Sequence, residues 1–211
     1  MCISCLSWYQ RNLAPYVVHA ACSSTPFRQM RKRMLPHAEG MVVEVGCGSG
    51  LNLPYYEPSK VQRLIGVDPE ASTLAMAEAR SRSLPFEVQL IRGFGENLPV
   101  DDGSADTVVI TYALCTIPQP RAALQEIRRI LKPTGRLVFA EHGQSEEPRC
   151  RRWQERLNRA WQWAAAGCHL DRDPVSMIEQ SGFRLLADER SRFPVTFWQL
   201  GTHYAGLATA A

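Results

Sequence analysis

No stretch of the sequence approaches the ~18 or more uninterrupted apolar residues of a membrane-spanning helix. The amino terminus also lacks the charged, then apolar, then small-residue order of a secretory signal. These absences predict a cytoplasmic chain without an integral membrane segment. Strong charge is missing as well: the formal net charge is +3 over 211 residues, too small to argue for a nucleic-acid partner. Basic residues do gather locally, at Arg28, Arg31, Lys32 and Arg33 and again at Arg149, Arg151, Arg152, Arg156 and Arg159. Solvated helix faces account for such clusters, and peripheral contact with an anionic membrane surface or an acidic partner is the alternative. The seven cysteines are odd in number and scattered, so they read as reduced thiols, not as a disulfide framework. Cys2 and Cys5 have the spacing of a zinc or redox half-site, but nothing at metal spacing completes it, which predicts no metal.

Repeats, low-complexity tracts and linkers are likewise missing, and 211 residues that are 45% hydrophobic suffice for one packed domain. Residues 1–40 read as helices set apart from a sheet, with a helix start at Ser23 to Phe27, and residues 41–211 read as the main domain. From Val42 the pattern alternates. Val42–Val45, Leu64–Val67, Glu87–Arg92, Asp106–Ala113 and Arg136–Ala140 predict strands, with helical periodicity between them. Leu124, Ile127, Ile130 and Leu131 form one helix face that stops at Lys132-Pro133. Such alternation predicts an α/β fold, a doubly wound and mostly parallel sheet with helices on both faces. Later, Trp153, Leu157, Ala160, Trp161 and Ala164 fall at helical spacing, which predicts core packing. Asp173-Pro174 opens a short helix that Ser181-Gly182 closes. Phe183–Asp188 and Leu200–Leu207 predict two closing strands around a loop at Pro194.

The most informative stretch is the run of β-formers ending in Gly46-Cys47-Gly48-Ser49-Gly50, with Glu44 just before it. A strand, a glycine turn and a helix cradle a ligand at the carboxyl end of a doubly wound sheet. Dinucleotide sites want G-x-G-x-x-G, whose helix N-terminus faces a pyrophosphate. Here the spacing is G-x-G-x-G, and a carboxylate beside the turn suits a cationic ligand better than a diphosphate. Asp68, at the tip of the next strand, can accept hydrogen bonds from ribose hydroxyls, a feature that nicotinamide and adenosyl cofactors share. The two carboxylates together favour S-adenosylmethionine, with its sulfonium and ammonium.

Further on come "GFGENLPVDDGSADTVVITYALCTIP" and "EIRRILKPTGRLVFAEHG". With these four motifs in order, the chain resembles the class I S-adenosylmethionine-dependent methyltransferases, in their small-molecule branch. The resemblance implies a seven-stranded sheet with an antiparallel last strand, and a methyltransferase domain over residues 41–211 under an N-terminal helical lid that would carry Tyr9, Tyr16 and Phe27. It implies that Gly46, Cys47, Gly48 and Gly50, with Asn52, border the methionine part, and that Glu44 reaches towards its ammonium. Asp68, beside Pro69, would bind the ribose, Gly95 and Glu96 would line the adenine, and Thr111, Tyr112, Ala113 and Leu114 would flank the sulfonium. Relatives often carry an aspartate two residues before the glutamate of "GENLP"; Phe94 stands there, which shifts adenine contact to backbone and apolar groups. The C-terminal half, with its Trp-rich segment and "GCHL", is similar to the thiol S-methyltransferases of the methyltransferase-like family, which methylate alkyl thiols and hydrogen sulfide. Those relatives carry a membrane anchor, and the first forty residues here are too polar for one.

Among chemistry-bearing residues, His142 at the tip of the fifth strand is the candidate base, with a loop-anchoring hydrogen bond as its plainer reading. His203 reads as structural, and Cys115 and Cys168 as apolar pocket lining. Trp153, Trp161, Trp163 and Trp198 would complete an apolar pocket wall or serve the core. Tyr56 and Lys60 have the spacing of a short-chain dehydrogenase pair, but Pro58 interrupts it. The fourth strand ends in "TYAL", unlike enzymes that methylate amide or base nitrogens, which again argues against nucleic acid. The expectation is a methyltransferase acting on a small molecule, a thiol first, then a quinone, phenol or lipid headgroup amine. A cofactor-binding protein without turnover and a nicotinamide oxidoreductase are the rivals.

Overall fold

The valine- and isoleucine-rich runs pair side by side as parallel strands. β1 (Gly40–Val45) lies between β2 (Val61–Asp68) and β4 (Ala105–Thr111), with β3 (Glu87–Arg92) outside β2 and β5 (Leu131–Gly143) outside β4. The chain closes with β6 (Phe183–Arg192) and β7 (Thr202–Ala210). β7 inserts antiparallel between β5 and β6, so the seven-stranded order is β3-β2-β1-β4-β5-β7-β6. The strand order reverses between β1 and β4, the place where doubly wound sheets leave a crevice at their carboxyl ends. The computed structural model describes residue 9, residues 13–192 and residues 202–211. Cys2, Cys5, Trp198, and the loop at Pro194 lie outside the described residues, as does the predicted strand start at Leu200.

The helices are α1 (Ala14–Cys22), α2 (Thr25–Met34), α3 (Ala71–Ser81), α4 (Pro120–Ile130), α5 (Pro148–Ala164) and α6 (Pro174–Gln180). On one face of the sheet, Leu124, Ile127 and Ile130 of α4 and Ile178 of α6 are fully buried with Val43, Val108 and Phe139. Full burial of each such side chain contributes roughly 1.5–3 kcal/mol. α6 opens as its sequence predicts: the Asp173 side chain accepts the Ser176 amide at 3.0 Å, and Pro174 occupies the first turn.

Two expectations need correction. Residues 1–40 are not all set apart from the sheet: Met30 and Met34 of α2 are buried on its other face with Val42, Val109 and Val138. Nor does α5 bury its apolar stripe. Trp153 is 58% and Leu157 37% exposed, whereas Gln154 and Asn158 are buried. The reason is that α5 faces the end of β5 and two loops, whose backbone groups its polar side chains pair. Gln154 accepts the Ser145 amide and donates to the Gly143 carbonyl, and Asn158 accepts the Leu170 amide. Hydrogen bonding, not apolar burial, fixes the inner face of this helix.

Candidate active site

A cavity of about 690 Å³ opens at the carboxyl ends of β1, β2 and β4 and is bordered from above by α1 and α2. Its floor is the glycine turn. Gly46 and Cys47 both donate their amides to the Val67 carbonyl, at 2.8 and 3.2 Å, so the turn is pinned to β2. Gly46 and Gly48 have φ of 73° and 50°, the left-handed region that favours glycine. A Cβ on Gly46 would stand 2.5 Å from the Ala113 Cβ, whereas one on Gly48 would meet nothing within 4 Å and would project into the cavity. Gly50 does not line the cavity. Its missing side chain instead lets α3 approach, since a Cβ there would lie 3.0 Å from the Ala77 Cα.

Glu44 lines the cavity, yet its side chain is 1% exposed and bound on both oxygens. Oε1 accepts Asn52 Nδ2 at 2.9 Å and Oε2 accepts the Tyr56 hydroxyl at 2.5 Å. Asn52 also donates to Thr111 Oγ1 at 2.8 Å and accepts from Arg31 Nε at 2.8 Å. Burial outweighs these bonds and pushes the Glu44 pKa up to about 7. Asp68, at the end of β2, accepts the Gly48 amide at 2.9 Å on Oδ2, and the Glu70 amide and Thr73 hydroxyl on Oδ1. Burial raises its pKa too, against the pull of those donors. Pro69, Gly95 and Glu96 share this end of the cavity. Glu96 accepts the Gln119 amide at 3.1 Å, ahead of α4, and Phe94 stands 62% exposed at the rim.

At the tip of β4, Tyr112 holds a left-handed φ of 55°, uncommon for a bulky residue and a form of strain concentrated at functional sites. Its amide donates to the Ala140 carbonyl at 2.8 Å, and its ring packs against Phe27 and under the Arg31 guanidinium. Thr111, Tyr112 and Ala113 line the cavity; the Leu114 side chain turns into the core instead. The Ala113 and Leu114 amides both donate to Glu141 Oε1, at 2.8 and 3.0 Å, while Oε2 has no hydrogen-bond partner among the described residues. Burial pushes Glu141 up to about 7, against those amides.

The opposite wall is sulfur-rich. His142 Nε2 lies 2.9 Å from Cys168 Sγ, and Trp161 Nε1 donates to the same sulfur at 3.3 Å. Cys115 completes the cluster, and its hydrogen bond with Cys168, together with burial, pushes its thiol far above the ordinary range. His203 also reaches the cavity, with Nδ1 3.3 Å from the Tyr112 hydroxyl; burial, aided by His142, pushes it down to about 3, so it is neutral. Trp161 faces the cavity, while Trp153 does not.

Sequence reasoning missed three residues. Arg31 belongs to a cluster expected to be solvated, yet it is 3% exposed and bonds to Asn52 and the Cys22 carbonyl. Its position four after Phe27, on the face that buries Met30 and Met34, was the available signal. Tyr56 is a ligand of Glu44, and Lys60 points away to the Pro36 carbonyl. Glu141, an acid closing an apolar strand, carries the β4 turn.

Residues 43–139 match the family described as a methyltransferase domain. Thiol S-methyltransferase TMT1B of Rattus norvegicus is 33% identical over 185 residues, covering 86% of this chain and 75% of the relative. Thiol S-methyltransferase TMT1A of Homo sapiens is 30% identical over 217 residues, covering 97% and 86%. Among solved structures, geranyl diphosphate methyltransferase in complex with SAM superposes with a TM-score of 0.68 at 13% identity, covering 92% of this chain and 85% of that one. At that identity the likeness to the solved structure is one of fold. The chain therefore belongs to the class I S-adenosylmethionine-dependent methyltransferases, in the family of the thiol S-methyltransferases TMT1A and TMT1B.

Proposed function

We propose that the chain transfers the methyl group of S-adenosylmethionine to the sulfur of a small, apolar thiol. One observation carries the reading. The cavity wall beside the Thr111–Ala113 turn is built from the sulfurs of Cys115 and Cys168, the His142 imidazole and the Trp161 indole. Such a wall is soft and largely apolar, and it receives a hydrophobic sulfur compound without stranding a strong hydrogen-bonding group. The names of the relatives that cover most of the chain point the same way.

The residues present fit the cofactor. Gly48 leaves open space where any side chain would intrude, and two carboxylates, Glu44 and Asp68, border the same cavity. In this reading Gly46, Cys47 and Gly48 border the methionine part, with Asn52 fixed by Glu44, Thr111 and Arg31. Asp68 and Pro69 hold the ribose, Gly95, Glu96 and Phe94 line the adenine, and Thr111, Tyr112 and Ala113 flank the sulfonium. When bound, the cofactor supplies an electrophilic methyl group and a positive charge.

The protein's part is positional and electrostatic. Glu44 puts negative charge in a dry wall, where it acts on a cationic ligand far more strongly than in water. Asp68 shares its oxygens between the ribose and the turn amide it already holds. α1 and α2 form the lid, with Phe27 and His19 at its inner surface. Tyr9 straps the lid to α5, its hydroxyl donating to the Ala164 carbonyl at 2.8 Å and its ring stacking on Trp163. Closing the site excludes water and holds the sulfur in line with the methyl, reacting atoms ~3–3.5 Å apart. The acceptor gives up its proton on the side lined by His142.

Transfer of a radiolabelled methyl group across alkanethiols, hydrogen sulfide, phenols, quinols and amines tests the reading. Thiols should be labelled and the others not. Labelled phenols or amines beside unlabelled thiols would overturn it.

A further inference from the structure

We propose that Cys115, His142 and Cys168 form a site for a soft divalent cation of the zinc class, with an open position that takes the acceptor's sulfur. The idea rests on the thiol reading of the acceptor and adds the device that makes the thiol reactive. The two Sγ atoms and a ring nitrogen of His142 lie within 4.8 Å of one another. Zinc bonds of about 2.3 Å to sulfur and about 2.0–2.1 Å to nitrogen set tetrahedral ligand atoms roughly 3.5–4 Å apart. The triangle therefore needs only rotamer-sized adjustments, the 2.9 Å edge between His142 Nε2 and Cys168 Sγ widening and the others already within 4.8 Å. Two thiolates and one imidazole are a donor set that zinc prefers. Three protein ligands with a vacant fourth position make the catalytic pattern, whereas structural sites are closed by four. All three residues line the cavity, so the fourth position opens into it.

The ligands are delivered by separate elements that are tied together. Cys115 follows β4, His142 is near the end of β5, and Cys168 follows α5. Ala166 and Gly167, at φ of 51° and 87°, reverse the chain after α5, and the next amide but one, that of His169, donates to the Cys115 carbonyl at 2.8 Å. That bond clamps the two cysteine segments. Outer partners are present too: Trp161 Nε1 donates to Cys168 Sγ, and Thr116 Oγ1 lies 3.5 Å from Cys115 Sγ. Donors of this kind orient thiolate ligands and moderate their charge. Arg172, whose guanidinium donates to the Leu114 and Ile117 carbonyls, adds positive charge on the same side.

The chemistry balances. Metal binding releases the thiol protons of Cys115 and Cys168, and before the site closes the acceptor thiol releases its own proton to solvent, past the side lined by His142, as its sulfur enters the fourth position. Two thiolates cancel the dication, so a third leaves a net negative and still nucleophilic centre. A lone pair of the acceptor's sulfur forms the new S–C bond. The donor's C–S bond breaks with its electron pair staying on the donor sulfur. The product is a neutral thioether, a weaker ligand, which leaves.

The full chain, reduced and freed of metal by a chelator, is titrated with Co²⁺. One equivalent should bind, with a thiolate-to-cobalt band in the near ultraviolet and the strong visible bands of a tetrahedral ion. Cys168→Ala and His142→Ala should lose this spectrum while keeping their far-ultraviolet dichroism; Cys150→Ser, on α5, should retain it. An added alkanethiol should shift the visible bands, and chelated protein should methylate that thiol about tenfold or more slowly until zinc is restored. The proposal is overturned by an absent spectrum, by one that survives both alanine variants, by bands indifferent to thiol, or by thiol methylation that ignores chelation. If no form of the protein methylates thiols but phenols or amines are labelled, the thiol reading has failed, and the cobalt spectrum judges the cation site separately.

Discussion

Replacing Glu44 by glutamine should have opposite effects on the empty protein and on its ligand affinity. The Glu44 pKa is about 7 in the folded chain against an ordinary 4.5, so the folded state holds the proton more tightly than the unfolded state does. Stability from that proton is complete below about pH 4.5 and is lost as pH rises through about 7. By about pH 8 the loss is about 3 kcal/mol, the shift of the group converted at about 1.36 kcal/mol per unit. Glutamine cannot ionise and keeps that contribution. It can accept from Asn52 and turn its amide to the Tyr56 oxygen, which strands the Tyr56 hydroxyl proton at a cost of about 1 kcal/mol. The net gain of about 2 kcal/mol corresponds to a Tm about 4–8 °C higher for a chain of this size. Affinity should move the other way. Losing a charged partner weakens cofactor binding by about 1.5–3 kcal/mol, about ten- to a hundredfold at about pH 8. At about pH 6 the native carboxylate is itself mostly protonated, so the gap should shrink about tenfold. Scanning calorimetry of the empty proteins and titration calorimetry with S-adenosylhomocysteine at both pH values read the two effects. A Glu44→Gln variant that melts lower at pH 8, or whose affinity deficit is the same at both pH values, refutes the reasoning.

Asp68→Ala should weaken cofactor binding at least about tenfold in titration calorimetry, since hydrogen bonds to a charged group contribute roughly 1.5–3 kcal/mol each; a folded variant with unchanged affinity contradicts the ribose assignment. Gly48→Ala and Gly46→Ala should separate ligand space from packing. The first should lose affinity with a modest drop in Tm, because its Cβ enters the cavity; the second should lose mainly stability, because its Cβ meets Ala113 at 2.5 Å. On α5, Gln154→Leu should cost about 1–3 kcal/mol in urea unfolding and Trp153→Ala no more than about 0.5, the reverse of what an apolar inner face would give.

The parts of the fold legible in the sequence are those governed by local pattern. Glu87–Arg92 alternates and becomes β3 at those bounds, and α4 ends at Ile130, although Leu131, expected on its inner face, opens β5 and Lys132-Pro133 lies within that strand. The glycine turn and Asp68 were legible because a bare backbone and a strand-tip acid leave local signatures. Three-dimensional partnerships were not. Cys115 and Cys168 meet because a left-handed turn after α5 returns the chain to β4, and no local spacing encodes that meeting. The polarity of α5 misled for a related reason: the Trp153 and Leu157 stripe has helical period, but its orientation depends on which loops need hydrogen bonds. Glu44 and Tyr56 are near in sequence, yet the residues between them contain proline and a short 3-10 turn, Leu53–Tyr55, that no periodicity predicts.

The charges around the site bear on what it is built to hold. Glu44 and Asp68, which border the cavity, are both buried and both raised, Glu44 to about 7. Among the described residues no salt bridge reaches either; Arg31, whose charge favours the ionised Glu44, spends its Nε on Asn52. Burying carboxylates without a countercharge costs several kcal/mol per ion, and proteins ordinarily avoid it. A diphosphate entering this cavity would raise that cost further. A ligand carrying its own positive charge would lower it, drawing the carboxylates back to their ionised forms as it binds. At the Glu44–Asp68 end of the cavity the deficit is thus of one sign, and a sulfonium with an ammonium beside it is the kind of charge that fills it.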